Sequence, residues 1–437
     1  MSDYMYMLES HLSPDQNRAV EEVQTAAGEA NVNVFLTGGA MRDMLAGFPI
    51  RDLDFVIEGN ALKVAKVICE RTGAKNLHVD ENRKTTELVF PNGVTAQVAM
   101  SRQEKYGRAG SKPSVSPATI QDDLRGRDFT CNAIALSLNR ASRGLLLDPM
   151  NGLADIERRE LRAVTTYGFY DDPSRLLRLV RFSVRMNYTV EDRTRLQIAN
   201  AREAEVEKKI PARALSEELR RISMEDRPAE ILKGLEEAGL LQLFSPALVG
   251  KMNHPGLQRL EKAMAVLPDD VRWRSARFGA FLHALTEKLS PKERAALIKA
   301  TEMPKADVAE WQKLEAKAKK LESALKAARV RKASHVYQIV SVASPDDILF
   351  TLYHSALKPV QERLRNYFGK YLQMIAEITP EEWDSIPVKP GTPKYAKARE
   401  TFIGQRLDRR PKKVVVEPTA APAPPVPEVA MGRRGAR

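Results

Sequence analysis

The chain has 437 residues, 43% of them hydrophobic and 29% charged, with a net charge of +12. This is the balance of a globular protein with room for several domains, not of a fibrous or low-complexity chain. There is no apolar run of the roughly 18 residues that a membrane span needs, and the opening MSDYMYMLESHLSPDQ has no basic stretch followed by an apolar core. Neither a membrane span nor a signal peptide is therefore expected, and the expected place is the cytoplasm. Cys69 and Cys131 each sit in an apolar run, which points to reduced core thiols rather than a disulfide or zinc site. The positive charge favours a polyanionic partner.

In chain order, Ser13-Pro14 opens a predicted helix over residues 12 to 28. VFLTGGAMRDMLAGFPIRDLDFVIE, Val34 to Glu58, follows. Val34-Phe35-Leu36 reads as a buried strand, Gly38-Gly39 as its sharp end, Ala40 to Leu45 as a helix start and Phe55-Val56-Ile57 as a second strand. Side chains two apart on a strand share a face, so Asp52 and Asp54 present their carboxylates together while Leu53 turns to the core. Such a pair is costly without a cation between its members. Hard oxygen donors suit Mg²⁺, held by one or two carboxylates together with substrate phosphates. The glycines at a helix start offer backbone N–H groups to phosphate. Neither a Walker motif nor a dinucleotide fingerprint fits, because Lys-Ser/Thr and the G-x-G-x-x-G spacing are absent.

Further along, Ala61 to Thr72 reads as a helix stopped by Gly73. Thr86 to Phe90 and Val94 to Met100 read as a hairpin about Pro91-Asn92-Gly93. Arg102 to Thr119, with no apolar period, reads as a mobile loop. In DDLRGRDFTCNAIALSL, Asp123, Arg125, Arg127 and Asp128 crowd the shoulder of an apolar element. Arginines there suit a triphosphate, and Asp and Asn suit ribose hydroxyls. Asp148-Pro149 and Gly152 turn into a short helix that closes the first domain. From Pro173 the chain becomes helical. YDDPSRLLRLVRFSVRM puts Asp171 and Asp172 at a helix start, with Arg175, Arg178 and Arg181 on one side. Helical patterns continue to about residue 410, including the basic WQKLEAKAKKLESALKAARVRKASHVY, an electrostatic track for RNA or a solvated exterior. KKVVVEPTAAPAPPVPEVAMGRRGAR reads as a disordered tail.

GGAMRD with DLD, DLRGRDFTCNA, DPMNGLAD, DDPSRLLRLVRF and IPARALSEEL together resemble, in order and spacing, the class II transfer-RNA nucleotidyltransferase and bacterial poly(A) polymerase family over residues 30 to about 245. PVKPGTPKYAKARETFIGQRL weakly resembles that family's tail-end motif. The resemblance implies an α+β chain: a polymerase-beta-like nucleotidyltransferase head with a small mixed sheet (1–165), then an all-α neck (166–250), body and tail domains (251–410) and a Pro-rich tail (411–437). It implies that Asp52 and Asp54 bind Mg²⁺, that Gly38, Gly39 and Arg42 hold the triphosphate and that Asp43 orients the arginine. Arg127 would contact phosphate, with Asp128 and Asn132 near the ribose. The base-reading motif falls on Asp171, Asp172 and Arg175, and Arg213 braces that helix.

The implied reaction is in-line attack of an RNA 3′-hydroxyl on the α-phosphate of CTP or ATP, with two metal ions, adding CMP and AMP to transfer RNA. Poly(A), A-adding or CC-adding activity is the alternative within the class, and a non-catalytic RNA-binding paralogue the alternative outside it. The sequence leaves the oligomeric state open. Three positions depart from the family pattern: Gln97 stands where a carboxylate is usual, Gly126 where an arginine is, and Asp171 where a glutamate is.

Overall fold

The computed structural model describes residues 3–409; the expected tail at 411–437 lies outside the described residues. Two helices lead in, α1 (Asp3–His11) and α2 (Pro14–Glu29). Ser13 caps α2 in a reciprocal box with Gln16, and the helix runs past Gly28 to a cap at Ala30. The chain then builds β1 (Asn33–Thr37), α3 (Gly38–Leu45), β2 (Leu53–Glu58), α4 (Ala61–Thr72), β3 (Lys75–Asp80), β4 (Thr85–Val89) and β5 (Thr95–Met100). After these come β6 (Arg102–Lys105), β7 (Ser114–Pro117), α5 (Ile120–Arg125), β8 (Ala135–Ser137), β9 (Leu146–Leu147) and α6 (Gly152–Arg158).

Seven of these strands form one mixed sheet in the order β3-β4-β5-β2-β1-β8-β9, in which only β2 and β5 run parallel. Both faces of its centre are covered. Val34, Leu36, Leu53, Phe55, Ile57, Ala96 and Val98 join the main core with residues of α2, α3 and α4. On the other face, Phe35 and Val56 pack with Ile120 and Leu124 of α5 and with Ala133 and Ala135. Period-two alternation thus puts Asp54 on the α5 face while its neighbours Leu53 and Phe55 go to the larger core.

The stretch 102–119 is not a structureless loop. β6 and β7 pair as an antiparallel ribbon, held at its base by Glu104, which accepts from Arg102 (2.8 Å), Arg83 (3.1 Å) and the Tyr106 hydroxyl (2.7 Å). These charged partners hold the Glu104 carboxyl down at about 2 against the opposing effect of burial. Charge rather than a buried apolar face fixes the ribbon, so no hydrophobic period marks it.

Apart from a short parallel pairing of Glu160–Leu161 with Thr189–Val190, the remainder is helical: α7 (Gly168–Asp171), α8 (Arg175–Met186), α9 (Asp192–Glu203), α10 (Ala212–Met224), α11 (Pro228–Glu237), α12 (His254–Met264), α13 (Val271–Ser275) and α14 (Arg277–Thr286), then further helices to Asp408. Leu176, Leu177, Leu179, Phe182 and Met186 sink one face of α8 into the core, and Phe182 meets Phe129 edge-on at 5.9 Å. None of the described helices is long and apolar enough to cross a membrane.

Candidate active site

The site begins where β1 ends. Gly38 has φ +62°, a left-handed conformation that glycine adopts without strain. It also lets the turn close on β2. A methyl group on Gly38 or Gly39 would lie 3.1 or 3.2 Å from Asp54 Oδ2. The Gly39 N–H instead donates to that oxygen at 3.0 Å. Asp52, two residues earlier, is exposed and accepts from the Thr95 hydroxyl at 3.1 Å. Burial, and then the charge of Asp52, push the Asp54 carboxyl up to about 6. Arg127 and the Gly39 N–H act against that rise. A cation shared by the two carboxylates would remove the repulsion, so the donors fit a hard divalent ion completed by phosphate oxygens. No group of three or more His, Cys, Asp or Glu side chains is placed to hold a metal among the described residues. At the third position of this face, β5 pairs Gln97 with Asp54.

Arg42 is not turned toward an open site. It is buried, its Nε and Nη2 on Asp43 Oδ1 at 2.9 and 2.7 Å and its Nη1 on Asn132 Oδ1 at 2.8 Å. Asp43 also accepts from Arg185 of α8 at 2.7 Å. In this arrangement Arg42 ties the glycine turn to α8 and has few N–H groups left for a triphosphate. Arg127 is more available: it is partly exposed, bound to Asp123 at 2.6 Å, and its charge is felt at Asp54.

Asp128 is the next junction. It accepts from its neighbour's backbone at Phe129 (2.8 Å), from Asn132 Nδ2 (2.9 Å) and from Arg178 Nη1 (3.0 Å). Burial opposes ionisation, but Arg178 and the Asn132 hydrogen bond hold this carboxyl down at about 2. Arg178 also grips Asp172 Oδ2, whose other oxygen accepts from the Ser174 backbone (3.1 Å) and hydroxyl (2.5 Å). Arg175 Nε stands 3.9 Å from Asp172, while Nη1 and Nη2 donate to the carbonyls of Arg127 (3.1 Å) and Gly126 (2.9 Å). The Arg175 Nε–H is buried without a hydrogen-bond partner. A methyl on Gly168 would meet Arg175 Nη1 at 2.8 Å, so that glycine makes room for the guanidinium. Burial raises the Asp171 carboxyl above its usual range, against the pull of Arg175.

The fold thus brings together Gly38, Gly39, Asp52, Asp54 and Arg127 at one end and Asp128, Asn132, Asp172 and Arg175 at the other. It does not bring Arg213 there. Arg213 is exposed and donates to Glu217 on its own helix at 2.9 Å; the brace from α10 to α8 is Glu218, which accepts from Arg181 at 2.7 Å. Nor do Arg175, Arg178 and Arg181 form a free basic face, since each is largely buried and bound to an acid or a carbonyl. The sequence places Arg178 on one helix side with Arg175 and Arg181 but assigns it no role, whereas the structure makes it the link between Asp128 and Asp172. Its only signal was spacing, three residues beyond Arg175 on the same helix side.

Residues 34–162 match the poly A polymerase head domain family. The chain is 38% identical over 194 residues to an A-adding tRNA nucleotidyltransferase of Halalkalibacterium halodurans, covering 44% of this chain and 45% of that one. It is 34% identical to a CC-adding tRNA nucleotidyltransferase of Deinococcus radiodurans, over 40% of this chain and 47% of the relative. It is 32% identical to a multifunctional CCA protein of Pseudoalteromonas atlantica, over 60% of this chain and 65% of that one. The chain spans less than half the length of the A-adding relatives it matches. A solved CCA-adding enzyme in an apo form shares the fold, with a TM-score of 0.55 at 25% identity over 94% of this chain and 96% of the other. By this head domain, these relatives and this fold, the chain is similar to the poly(A) polymerases and transfer-RNA nucleotidyltransferases.

Proposed function

We propose that this chain is a template-independent RNA nucleotidyltransferase that adds CMP and AMP from CTP and ATP to the 3′ end of transfer RNA and releases pyrophosphate. The observation that carries the reading is the carboxylate pair Asp52 and Asp54, of which Asp54 is seated against the Gly38-Gly39 turn and lies within reach of the Arg127 charge, next in the chain to Asp128 and its Arg178–Asp172 link. The head would span 1–165, the neck 166–250, and the body and tail 251–410.

In this reading Asp52 and Asp54 hold Mg²⁺, which when bound lowers the pKa of the attacking hydroxyl and stabilises the leaving pyrophosphate. The first-turn N–H groups of α3 other than that of Gly39, which Asp54 holds, would meet the triphosphate together with Arg127. Asp128 and Asn132, fixed by Arg178 and Arg42, orient the ribose. Asp172 and Arg175 offer an acceptor and a donor to the Watson–Crick edge of the base, so the protein stands in for a template strand. Asp171 lies at the edge of that pair. Arg42, held by Asp43, acts from behind the turn, and Arg213 contributes charge on the outside of α10.

Purified protein given Mg²⁺, labelled CTP or ATP, and transfer RNAs ending before, within and after the CC step tests this. Sequential C, C and A addition is the expected result, and no incorporation of either nucleotide sinks the proposal. The similarity to A-adding relatives favours one second reading, addition of the final A alone. Extension by ATP of only the CC-ended RNA would select it. Long homopolymers would select a poly(A) polymerase, and stopping after two cytidines a CC-adding enzyme.

A further inference from the structure

Arg274 belongs to α13 in the helical part of the chain, yet its Nη1 lies 4.0 Å from Oδ2 of Asp52 at the mouth of the head's carboxylate site. The two ends of this contact differ in kind: the Arg274 side chain is 10% exposed and that of Asp52 60%. Arg274 Nε is 3.2 Å from Asp269 but is not directed at it, and remains a buried N–H without a hydrogen-bond partner. Arg277, three residues on, also keeps a buried Nε–H without a hydrogen-bond partner, but its ion pairs are with Asp226 and Asp269. It donates to the Met224 carbonyl at 2.8 Å and lies 3.6 Å from Asp226. Arg51, next to Asp52 in the chain, is bound to Glu225 (3.2 Å) and Asp226 (2.6 Å). The segment carrying Asp52 is therefore clamped onto the helices, and of the two incompletely satisfied guanidiniums in the clamp, Arg274 is the one brought to Asp52.

A guanidinium cannot shed its proton in a protein. It attracts Asp52, and by the same Coulomb term it repels any cation that Asp52 takes up. We propose that Arg274 is a stand-in cation for Asp52 and a phosphate-binding residue of the loaded site. When a divalent cation takes Asp52, Arg274 loses that partner while remaining charged and buried. A phosphate oxygen beside the cation supplies the replacement. Cation alone then binds weakly and cation with phosphate binds well, so the contact sets an order of loading. This inference rests on the reading of Asp52 as a metal-holding residue.

The test is Mn²⁺ binding to the full-length protein, followed by electron paramagnetic resonance, with and without inorganic triphosphate. Arg274→Gln is expected to tighten Mn²⁺ alone by about three- to fivefold, the size of a partly exposed ion pair, and to lose most of the gain that triphosphate brings. Arg274→Lys keeps the charge but not the fork, and should leave Mn²⁺ alone near the unaltered value while weakening the triphosphate effect. In steady-state assays of Arg274→Gln, a raised KM for nucleotide identifies the triphosphate as the anion, and a raised KM for RNA identifies the RNA backbone. Unchanged Mn²⁺ and triphosphate binding in Arg274→Gln overturns the inference. Asp52→Asn separates the two levels, because unchanged Mn²⁺ affinity in that variant overturns the metal reading itself. A measurement on the unaltered protein guards against a variant that fails to fold: amide exchange over Val271–Ser275 should quicken with Mn²⁺ alone and slow again on adding triphosphate. Exchange indifferent to both additions also overturns it.

Discussion

The two ends of the site are built on opposite electrostatic plans. At the Asp52–Asp54 end two carboxylates face each other with an N–H, a hydroxyl and a distant guanidinium for company, and Asp54 is pushed up to about 6. At the Asp128–Asp172 end each carboxylate is gripped by Arg178, and Asp128 is held at about 2. The first end is a charge awaiting a ligand. The second is already satisfied and keeps its shape without one. The difference suits the work proposed for each, since a metal centre gains from unmet negative charge and a base-reading edge gains from side chains that cannot wander.

The sharpest way to break that contrast is to neutralise the open end. Asp52→Asn or Asp54→Asn should lower kcat by about a thousandfold or more, because metal-assisted charge stabilisation is worth several kcal/mol and each 1.36 kcal/mol is a factor of ten. Melting temperature should hold or rise for Asp54→Asn, since the variant removes a charge that burial and the exposed Asp52 both disfavour. Single-turnover rates and thermal melts on the same samples check both halves. A large loss of stability would mean that Asp54 serves the fold rather than the chemistry.

The next effect falls on the scaffold behind the closed end. Arg181 and Glu218 are both buried and bonded at 2.7 Å, with Glu225 a further 3.2 Å partner of the arginine. Arg181→Met strands the buried Glu218 and removes one of the arginines around Glu225, and should cost about 3–5 kcal/mol in urea unfolding. The double variant Arg181→Met with Glu218→Leu should recover part of that loss.

These two predictions also separate what could be read in the sequence from what could not. The glycine turn and the D-x-D pair are local, and each follows from alternation or turn chemistry within a few residues; Asp171 and Asp172, expected at a helix start, instead close α7, and α8 begins only at Arg175. The hairpin about Asn92-Gly93 was legible for the same reason. Arg42, Arg213, Arg178 and Arg274 were not, because an arginine in a string looks alike whether it faces water, an acid 50 residues away or a buried carbonyl. Arg178 meets Asp128, Arg181 meets Glu218 and Arg274 meets Asp52 only once the helices have packed. Position along the chain carried the candidate motif; three-dimensional pairing decided which of its charges remain free.

Arg178→Met tests the closed end directly. It leaves Asp128 and Asp172 without their shared cation, and about 1–3 kcal/mol of unmet charge interaction should appear as a ten- to hundredfold fall in kcat/KM. The ratio of CTP to ATP use should drift toward one, because Asp172 is then free to turn. An unchanged ratio with a lower rate would place the selectivity elsewhere.

pH offers a milder probe of the open end. Asp54 has a folded pKa raised from 3.8 to about 6. Between these values the folded state binds the extra proton, so metal-free stability should fall as pH rises through the window. Metal affinity runs the other way: below about 6 the cation competes with a proton, losing up to about tenfold per pH unit. Melts and Mn²⁺ titrations from pH 4 to 8 should therefore show opposite slopes, and Asp54→Asn should flatten both.

The smallest expected change is the most diagnostic of how the open end is tuned. Gln97 is paired in register with Asp54 across two parallel strands, and its neighbours Ala96 and Val98 point into the core on the other side. Neighbouring strands are about 4.8 Å apart, so a carboxylate at 97 would stand beside Asp54 and add a third negative charge to the same face. Without metal that charge raises the Asp54 carboxyl further and costs some stability at neutral pH; with metal it is offset by attraction. Gln97→Glu should therefore tighten Mn²⁺ by about three- to tenfold, or 0.7–1.4 kcal/mol, while lowering the metal-free melting temperature slightly. Because the two effects share one cause, they should vanish together when Asp54 is also made Asn. Equal Mn²⁺ affinities for Gln97→Glu and the unaltered protein would put position 97 beyond the reach of the cation, leaving Asp52 and Asp54 to hold it with phosphate alone.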